Sequence, residues 1–244
     1  MKLYHYTSID SFVNIWKSKC LKFSVCKTTN DSFERNKSLR LTKDSFPSAK
    51  DNKTIESFFR CIFSEIESYR QISLTMDYKN MKGFASPMMW GQYARRKLDK
   101  DTWQDGVCIE LDSAKIERPK DFFYEGEIYY REIVPMPCLE GIDLLQSDSV
   151  EKYVTLNQNL LFFTKHKHWE HENEYRLVCK GVDFLDISNA VTGIYALEGS
   201  EALMRVKEHV TEEALVYFLR QNSTENYHLT ATNLKLINSF IDML

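Results

Sequence analysis

Strict alternation of apolar and polar residues is the feature of this sequence that most constrains its fold. In the segment 106–112, Val107, Ile109 and Leu111 would share one face of a strand and face the core, while Glu110 would face the other way. Alternation or a β-rich composition predicts further strands at 2–6, 21–25, 71–76, 122–134, 174–180 and 191–197. The chain therefore contains enough strand segments to form a sheet with a buried face.

Helical patterns lie between these strands in an irregular order. Apolar spacings of three and four residues, with Ser8 as an N-cap and Pro87 in a first turn, predict helices at 9–16, 55–66, 87–94, 150–163, 201–209 and 212–221. We predict that segment 30–41 is partly helical and that the polar segment 42–55 is a surface loop. No glycine-rich strand-to-helix turn is present, so neither a Rossmann fold nor a P-loop domain is supported. The pattern favours an α+β fold with a largely antiparallel sheet.

Size and charge leave the partner of the protein open. The chain has 244 residues, 43% of them hydrophobic, so it can bury a full core as one large domain or two small ones. A net charge of -3 gives no overall attraction to nucleic acid or to an anionic membrane, so a polyanion would have to bind a local patch. The sequence has no apolar run of membrane-spanning length and no leader pattern, and its six cysteines are scattered. We expect a cytoplasmic protein with reduced thiols.

Two short strings stand out chemically, LYHYTS at 3–8 and WEHENEYRL at 169–177. In a strand, Glu172, Glu174 and Arg176 would share one face, opposite the apolar face toward the core. A carboxylate fixed opposite developing positive charge suits cleavage of a glycosidic bond, because the transition state resembles an oxocarbenium ion. The alternative is a solvent-exposed face on which the Glu–Arg pairs are surface salt bridges that contribute little to stability.

His5 is the candidate functional residue of the first string. A single histidine on a terminal strand is more often structural than catalytic. This one is followed by Tyr6, Thr7 and the start of a helix, where backbone and hydroxyl groups commonly hold polar ligands. Together the two strings predict a cleft.

Five segments, taken in order, resemble an uncharacterised bacterial and phage family of DUF type: 3–8, 30–34, 89–94, 106–110 and 169–176. That family is similar, more distantly, to the His-Tyr-Glu branch of the ADP-ribosyltransferase superfamily, which includes diphtheria toxin and the poly-ADP-ribose polymerases. The resemblance implies an α+β fold with largely antiparallel split sheets and flanking helices. It also implies NAD as the donor of ADP-ribose.

The resemblance assigns roles to residues of the NAD site. His5 would hydrogen-bond the adenosine-side ribose, and the backbone near Tyr6 and Thr7 would hold the nicotinamide amide. Tyr93 would stack on the nicotinamide ring, since aromatic stacking orients a flat leaving group. Glu174 would bind the nicotinamide ribose and stabilise the oxocarbenium ion as nicotinamide leaves.

Further residues take supporting roles under the same resemblance. Glu172 would act as a general base or orient the acceptor. Arg176 and Trp90 would contribute to the NAD site, although core packing is the alternative role for Trp90. Independently of the resemblance, the basic residues Lys165, Lys167 and Arg95 are expected to bind the acceptor. For Arg95 the favoured alternative is a structural role at the end of a helix, where a cation offsets the macrodipole.

The implied activity is that of a transferase of the glycosyltransferase class. It would act in the cytoplasm as a toxin, in a toxin–antitoxin pair, or as an antiviral (phage-defence) effector, with RNA, DNA or protein as acceptor and an antitoxin as a further partner; no membrane partner is expected. The catalytic core is expected at 1–184, and a strand and helices at 185–244 would complete the same domain. NAD hydrolysis without an acceptor is an alternative, and so is a non-catalytic module that binds a nucleotide or a partner protein.

Three further features bear on the site. The segment 95–105 replaces a short turn of the family, and Ser32 stands where family members often carry proline, so the cleft rim and the acceptor would differ. His166, His168 and His171 lie close together, but adjacent positions face different ways and no cysteine or aspartate cluster accompanies them. We therefore expect no metal, and a metal-dependent nuclease is the least favoured function. Phosphate contact and a solvated loop are the alternatives for this histidine-rich segment.

Overall fold

The computed structural model describes residues 1–25, 52–120, 123–133, 135–144, 146–221 and 229–235. Cys26, the segment 30–41, most of the predicted loop 42–55 and Ser32 lie outside these residues. The fold is α+β, and its sheets are mostly antiparallel, as the alternation predicts. None of the helices in the described ranges combines the length and the hydropathy that crossing a membrane requires.

The secondary structure elements are numbered along the described chain. The strands are β1 (Lys2–Thr7), β2 (Cys20–Lys22), β3 (Ser24–Val25), β4 (Tyr69–Met76), β5 (Arg95–Lys97), β6 (Trp103–Asp105), β7 (Val107–Asp112), β8 (Tyr124–Glu127), β9 (Tyr129–Arg131), β10 (Thr164–His166), β11 (Glu174–Lys180), β12 (Phe184–Asp186), β13 (Val191–Leu197), β14 (Val216–Gln221) and β15 (Leu229–Asn233). The α-helices are α1 (Ile9–Ser18), α2 (Asn52–Ser68), α3 (Pro87–Tyr93), α4 (Ser149–Leu156), α5 (Gln158–Phe162) and α6 (Glu201–His209).

One large sheet organises the described residues. Its strand order is β15-β14-β13-β7-β1-β4-β11-β8, with β3 beside β4, and its pairs are antiparallel except for β13 with β14. The predicted alternation in β7 is confirmed, since Val107, Ile109 and Leu111 are all buried in the core. α1 and α6 contribute buried residues to the same core, so they cover this face of the sheet.

Local signals place the two helices that flank the site. Ser8 caps α1 by accepting a hydrogen bond from the Ser11 backbone N–H. Ser86 caps α3 in the same way, and Pro87 occupies the first turn, where its missing N–H costs no hydrogen bond. Both predicted helix starts are therefore confirmed.

A split separates β1 from β4. β1 pairs with β7 along its whole length, from Lys2↔Asp112 to Thr7↔Val107, but it pairs with β4 only at Leu3↔Met76 and Tyr4↔Thr75. At its other end β4 pairs with β3, starting at Ser24↔Gln71. In the described part of the chain, Ile72 to Leu74 therefore have no strand partner on this edge. The gap leaves room between two strands of one sheet.

The structure corrects several predicted elements. The helix predicted over 212–221 is wrong, because Val216–Gln221 forms β14, which pairs in parallel with β13. The single helix predicted at 150–163 is two helices, broken at Asn157, whose side chain donates to the carbonyls of Tyr153 and Cys138. The strand predicted at 21–25 is two short strands, and α2 already begins within the predicted loop.

The C-terminal region contributes more sheet than the sequence predicts. Instead of one strand after residue 185, the described residues there form β13, β14 and β15, which extend the main sheet beyond β7. The reason for the error lies in tertiary structure. A short apolar run such as VYFL fits a helix or a strand equally well, and the neighbouring β13 decides between them.

Candidate functional site

A cavity of about 310 Å³ occupies the split between β1 and β4. It is lined by His5 from β1, Tyr93 from α3 and Glu174 from β11. These are the three residues to which the resemblance assigns the central roles of the expected NAD site. Three segments far apart in the chain therefore meet around one space.

The carboxylates of the second string are buried. The exposed fractions are 3% for Glu172, 3% for Glu174 and 1% for Arg176. The alternative in which these residues form surface salt bridges is therefore wrong. Buried charges persist only when they are paired and hydrogen-bonded, so their partners define the site.

Lys165 joins the two carboxylates. Its Nζ lies 2.5 Å from Glu172 Oε2 and 2.7 Å from Glu174 Oε2. Arg176 Nε donates to Glu174 Oε1 at 2.8 Å, and the Tyr93 hydroxyl donates to Glu172 Oε1. Two cations thus compensate two carboxylates in a small buried cluster.

One carboxylate oxygen in this cluster keeps capacity to accept a hydrogen bond. Glu174 Oε2 accepts no well-directed hydrogen bond from the described residues, so its contact with Lys165 is an ion pair. A carboxylate oxygen has two acceptor sites. This oxygen has less than 1 Å² of accessible surface, so a hydroxyl of a ligand in the cavity would reach it only after the contact with Lys165 shifts.

A left-handed residue brings the two carboxylates together. Glu172 ends a 3-10 helical turn rather than lying in the strand, and Asn173 adopts a φ of 43° before β11 begins at Glu174. Asparagine tolerates this conformation better than most residues, and its side chain here donates to the carbonyl of Asp77. The prediction that Glu172 and Glu174 share a strand face is wrong, yet both reach Lys165.

A parallel strand pair holds Lys165 in place. β10 carries Lys165 and pairs with β9, where Lys165 is opposite Tyr130. The Tyr130 hydroxyl accepts a hydrogen bond from the Glu174 backbone N–H at 2.9 Å. The same two strands therefore position the lysine and the start of β11.

The neighbouring charges keep the carboxyl group of Glu174 ionised. Burial alone would raise the pKa of its carboxyl. The charges of Arg176 and Lys165, together with the hydrogen bond from Arg176, outweigh burial and hold this pKa well below its usual range. Glu174 is therefore an anion at neutral pH.

His5 is neutral on the opposite wall of the cavity. Burial lowers the pKa of its imidazole to about 4, and a hydrogen bond with the Ser73 backbone only partly offsets this. One ring nitrogen is engaged by Ser73, so the other can hydrogen-bond a ligand.

Other predicted NAD-site residues have different surroundings. Tyr6 lines the cavity, but its hydroxyl donates to the carbonyl of Gly83 at 2.5 Å. Trp90 is buried, packs edge-on against Tyr6 and donates through Nε1 to the Phe84 carbonyl, while neither Trp90 nor Thr7 lines the cavity. Core packing thus describes Trp90 better than ligand contact.

Two of the three predicted acceptor residues lie outside the cavity lining. Lys167 is exposed and lies 3.6 Å from Glu132. Arg95 lies in the β5–β6 hairpin, 3.8 Å from Asp105 and against the ring of Trp103. Lys165 alone of the three lines the cavity, and it does so as part of the carboxylate cluster.

The histidine-rich segment forms local contacts. The rings of His166 and His168 meet edge-on, and His171 Nε2 lies 3.4 Å from Gln92 Oε1. Among the described residues, His, Cys, Asp and Glu side chains form no group of three or more that could hold a metal ion.

Sequence reasoning missed one wall of the cavity. Lys22 and Ser24 line it from β2 and β3, and Gln71 and Ser73 line it from β4. The alternation over 21–25 carries a partial signal, because it directs Lys22 and Ser24 away from the buried face of Phe23. No local pattern indicates that this face meets β4.

Comparison with known proteins gives one family. A family model described as a protein of unknown function, DUF2971, matches residues 89–177. The matched part contains Tyr93 and the buried cluster of Lys165, Glu172, Glu174 and Arg176, and it does not contain His5. No curated protein and no solved structure matches the chain. The resemblance to an uncharacterised DUF-type family agrees with this match, whereas the similarity to ADP-ribosyltransferases stays a prediction.

Proposed function

We propose that the protein is an NAD-dependent ADP-ribosyltransferase. It would cleave the nicotinamide glycosidic bond of NAD and transfer ADP-ribose to a macromolecular acceptor, RNA, DNA or protein. The observation that carries the proposal is the convergence of His5, Tyr93 and Glu174 on one cavity. A toxic or defensive role is part of the same proposal, since modification of a cellular macromolecule would impair growth.

The chemistry rests on Glu174. As the C–N glycosidic bond breaks, its electron pair goes to the nicotinamide, which leaves neutral, and positive charge develops on the ribose. Glu174 is a buried anion held in place by Arg176 at 2.8 Å, so its charge opposes the developing cation without reorganisation. Its Oε2, which accepts no well-directed hydrogen bond from the described residues, would accept a ribose hydroxyl once the contact with Lys165 shifts.

The neighbouring residues would orient the two reactants. The ring of Tyr93 lines the cavity and offers a face for the nicotinamide. Tyr93 and Lys165 hold Glu172 from both of its oxygens, which fixes this carboxylate beside Glu174. Glu172 would accept the proton of the acceptor nucleophile as the new glycosidic bond forms.

Labelling with NAD tests the proposal. Purified protein is incubated with labelled NAD and cell extract, beside a Glu174→Gln variant and a Glu170→Gln control, whose side chain is exposed on the adjacent turn. Wild type and Glu170→Gln should label a macromolecular fraction, and Glu174→Gln should not. Equal labelling by wild type and Glu174→Gln, or labelling by neither, would contradict the proposal.

Two further readouts separate the alternatives. Nicotinamide release by the protein alone, at a rate unaffected by added RNA, DNA or protein, would indicate NAD hydrolysis instead of transfer. Growth arrest on expression of wild type, but not of folded Glu174→Gln protein, would argue against a non-catalytic binding module. Mass spectrometry of the labelled fraction would identify the acceptor.

A further inference from the structure

The charges that line the cavity do not balance. Lys165 and Arg176 are compensated by Glu172 and Glu174 within the buried cluster. Among the described residues, the remaining charged side chain of the lining is Lys22, and its ammonium has no carboxylate partner there. Counted over the described residues, the cavity lining therefore carries one uncompensated positive charge.

Lys22 and Ser24 form one wall of the cavity. They lie two residues apart in extended backbone, on either side of Phe23, which is fully buried. Side chains two apart in a strand point the same way, so Lys22 and Ser24 both point away from the core. Both line the cavity, where they offer an ammonium group and a hydroxyl.

This wall lies at the opposite end of the split from the carboxylates. Ser24 is opposite Gln71 on β4, whereas Glu174 is opposite Thr75 on the same strand. At about 3.3 Å per residue, the distance along β4 between these positions is about 13 Å. The unpaired edge of Ile72 to Leu74 lies between them.

We propose that Lys22 and Ser24 form a phosphate-binding subsite, which holds the pyrophosphate of NAD while its nicotinamide ribose lies at Glu174. The inference rests on the proposed function and specifies how the dinucleotide is oriented. An ammonium and a hydroxyl are ordinary donors to phosphate oxygens, and a phosphate would supply the counter-charge that the described residues lack. The dinucleotide would then run along the unpaired edge of β4.

Binding of two probes tests the subsite. The dissociation constants of ADP-ribose, which carries the pyrophosphate, and of nicotinamide riboside, which carries no phosphate, are measured by calorimetry. The variants are Lys22→Gln, Lys22→Arg and the control Lys17→Gln, whose lysine is exposed on α1 and does not line the cavity. We expect Lys22→Gln to weaken ADP-ribose binding about tenfold, the effect of one charge-assisted hydrogen bond. Its affinity for nicotinamide riboside should not change, Lys22→Arg should restore ADP-ribose binding, and Lys17→Gln should resemble wild type.

Each contrary outcome has a distinct meaning. Equal affinity of wild type and Lys22→Gln for ADP-ribose would overturn the subsite and leave the proposed transferase activity intact. Equal weakening of both probes would also overturn it, because the lysine would then shape the cavity rather than bind phosphate. Absence of ADP-ribose binding by wild type, together with absence of labelling from NAD, would overturn both the subsite and the proposed function.

Discussion

Two paired carboxylates on the same sheet, the partly buried Glu110 and the fully buried Glu174, differ in what surrounds them. Glu110 on β7 accepts hydrogen bonds from Tyr195 and Thr192, each at 2.7 Å, and pairs with Lys2 at 3.0 Å. Burial opposes its ionisation, but these hydrogen bonds and the charge of Lys2 outweigh burial and lower the pKa of Glu110. Glu174 on β11, which is fully buried, is also paired and lowered in pKa.

The difference lies in the unused acceptor capacity and the adjacent space. Glu110 is not part of the cavity lining, and both of its oxygens accept hydrogen bonds from the protein. Glu174 borders the cavity, and its Oε2 lacks a well-directed donor among the described residues. Charged partners and a lowered pKa are therefore common to a structural carboxylate and a candidate catalytic one. The cavity and the free acceptor distinguish them.

The lysine partners of the two carboxylates should give the largest contrast in stability. Lys165 is 7% exposed and contacts two carboxylates, so Lys165→Met should lower the free energy of unfolding by about 3–5 kcal/mol, because it leaves buried charge uncompensated. Lys2 is 39% exposed, so Lys2→Met should cost about 0–1 kcal/mol. Urea unfolding of both variants measures the difference. Equal losses in the free energy of unfolding would mean that the buried cluster depends on its lysine no more than the Lys2–Glu110 pair does.

Neutralising each carboxylate should give the largest contrast in activity. Glu174→Gln should lower the rate of nicotinamide release by about 100- to 1000-fold, the effect of removing one preorganised electrostatic group. Glu110→Gln should leave this rate within about twofold, because Glu110 does not line the cavity. Rates are measured on variants whose circular dichroism matches wild type. A comparable loss of rate in Glu110→Gln would show that the cavity does not separate the two carboxylates.

Part of this site is predictable from sequence because its signals are local. The alternation of β7 and the caps of α1 and α3 fix the elements that carry Tyr93 and the core. The strings around His5 and Glu174 carry side chains that line the cavity. These predictions hold because the local preferences and the tertiary contacts of these segments favour the same secondary structure.

The rest depends on pairings between distant segments. Lys165 reaches the carboxylates because β10 pairs in parallel with β9, and Lys22 reaches the cavity because β3 pairs with β4. β14 is a strand because β13 lies beside it. None of these pairings leaves a periodic trace in its own segment, so sequence patterns alone do not predict them.

Tyr195 donates to Glu110, and Tyr93 donates to Glu172 in the buried cluster. Removing each hydroxyl should have smaller effects, on stability in the first case and on catalysis in the second. Tyr195→Phe keeps the ring, which stacks on Phe84 with centroids 4.3 Å apart, and removes the donor to Glu110. It should lower the free energy of unfolding by about 1.5 kcal/mol without changing NAD turnover.

Tyr93→Phe keeps a ring in the cavity but removes the hydrogen bond to Glu172, so it should slow transfer to the acceptor more than it weakens NAD binding. A loss of NAD affinity in Tyr195→Phe would contradict this separation.

The last contrast concerns the opposite wall of the cavity, where a titrating group is kept neutral. Burial lowers the pKa of His5 to about 4, whereas an unfolded histidine has a pKa of about 6.5. Between these two values the unfolded chain binds more protons, so the contribution of His5 to stability is complete above about pH 6.5 and is lost as the pH falls toward 4. His5→Gln should therefore reduce the loss of stability between about pH 7 and about pH 5, measured by urea unfolding.

An exposed histidine provides the control for this pH dependence. His168 is exposed on the turn that precedes Glu172, so His168→Gln should keep the wild-type slope of stability against pH. Glu174 does not contribute to the slope in this window, because its lowered pKa places its titration at more acidic pH. A slope unchanged in His5→Gln would contradict the lowered pKa of the His5 imidazole. In that case His5 would be exposed to solvent in solution, unlike the buried carboxylates Glu172 and Glu174.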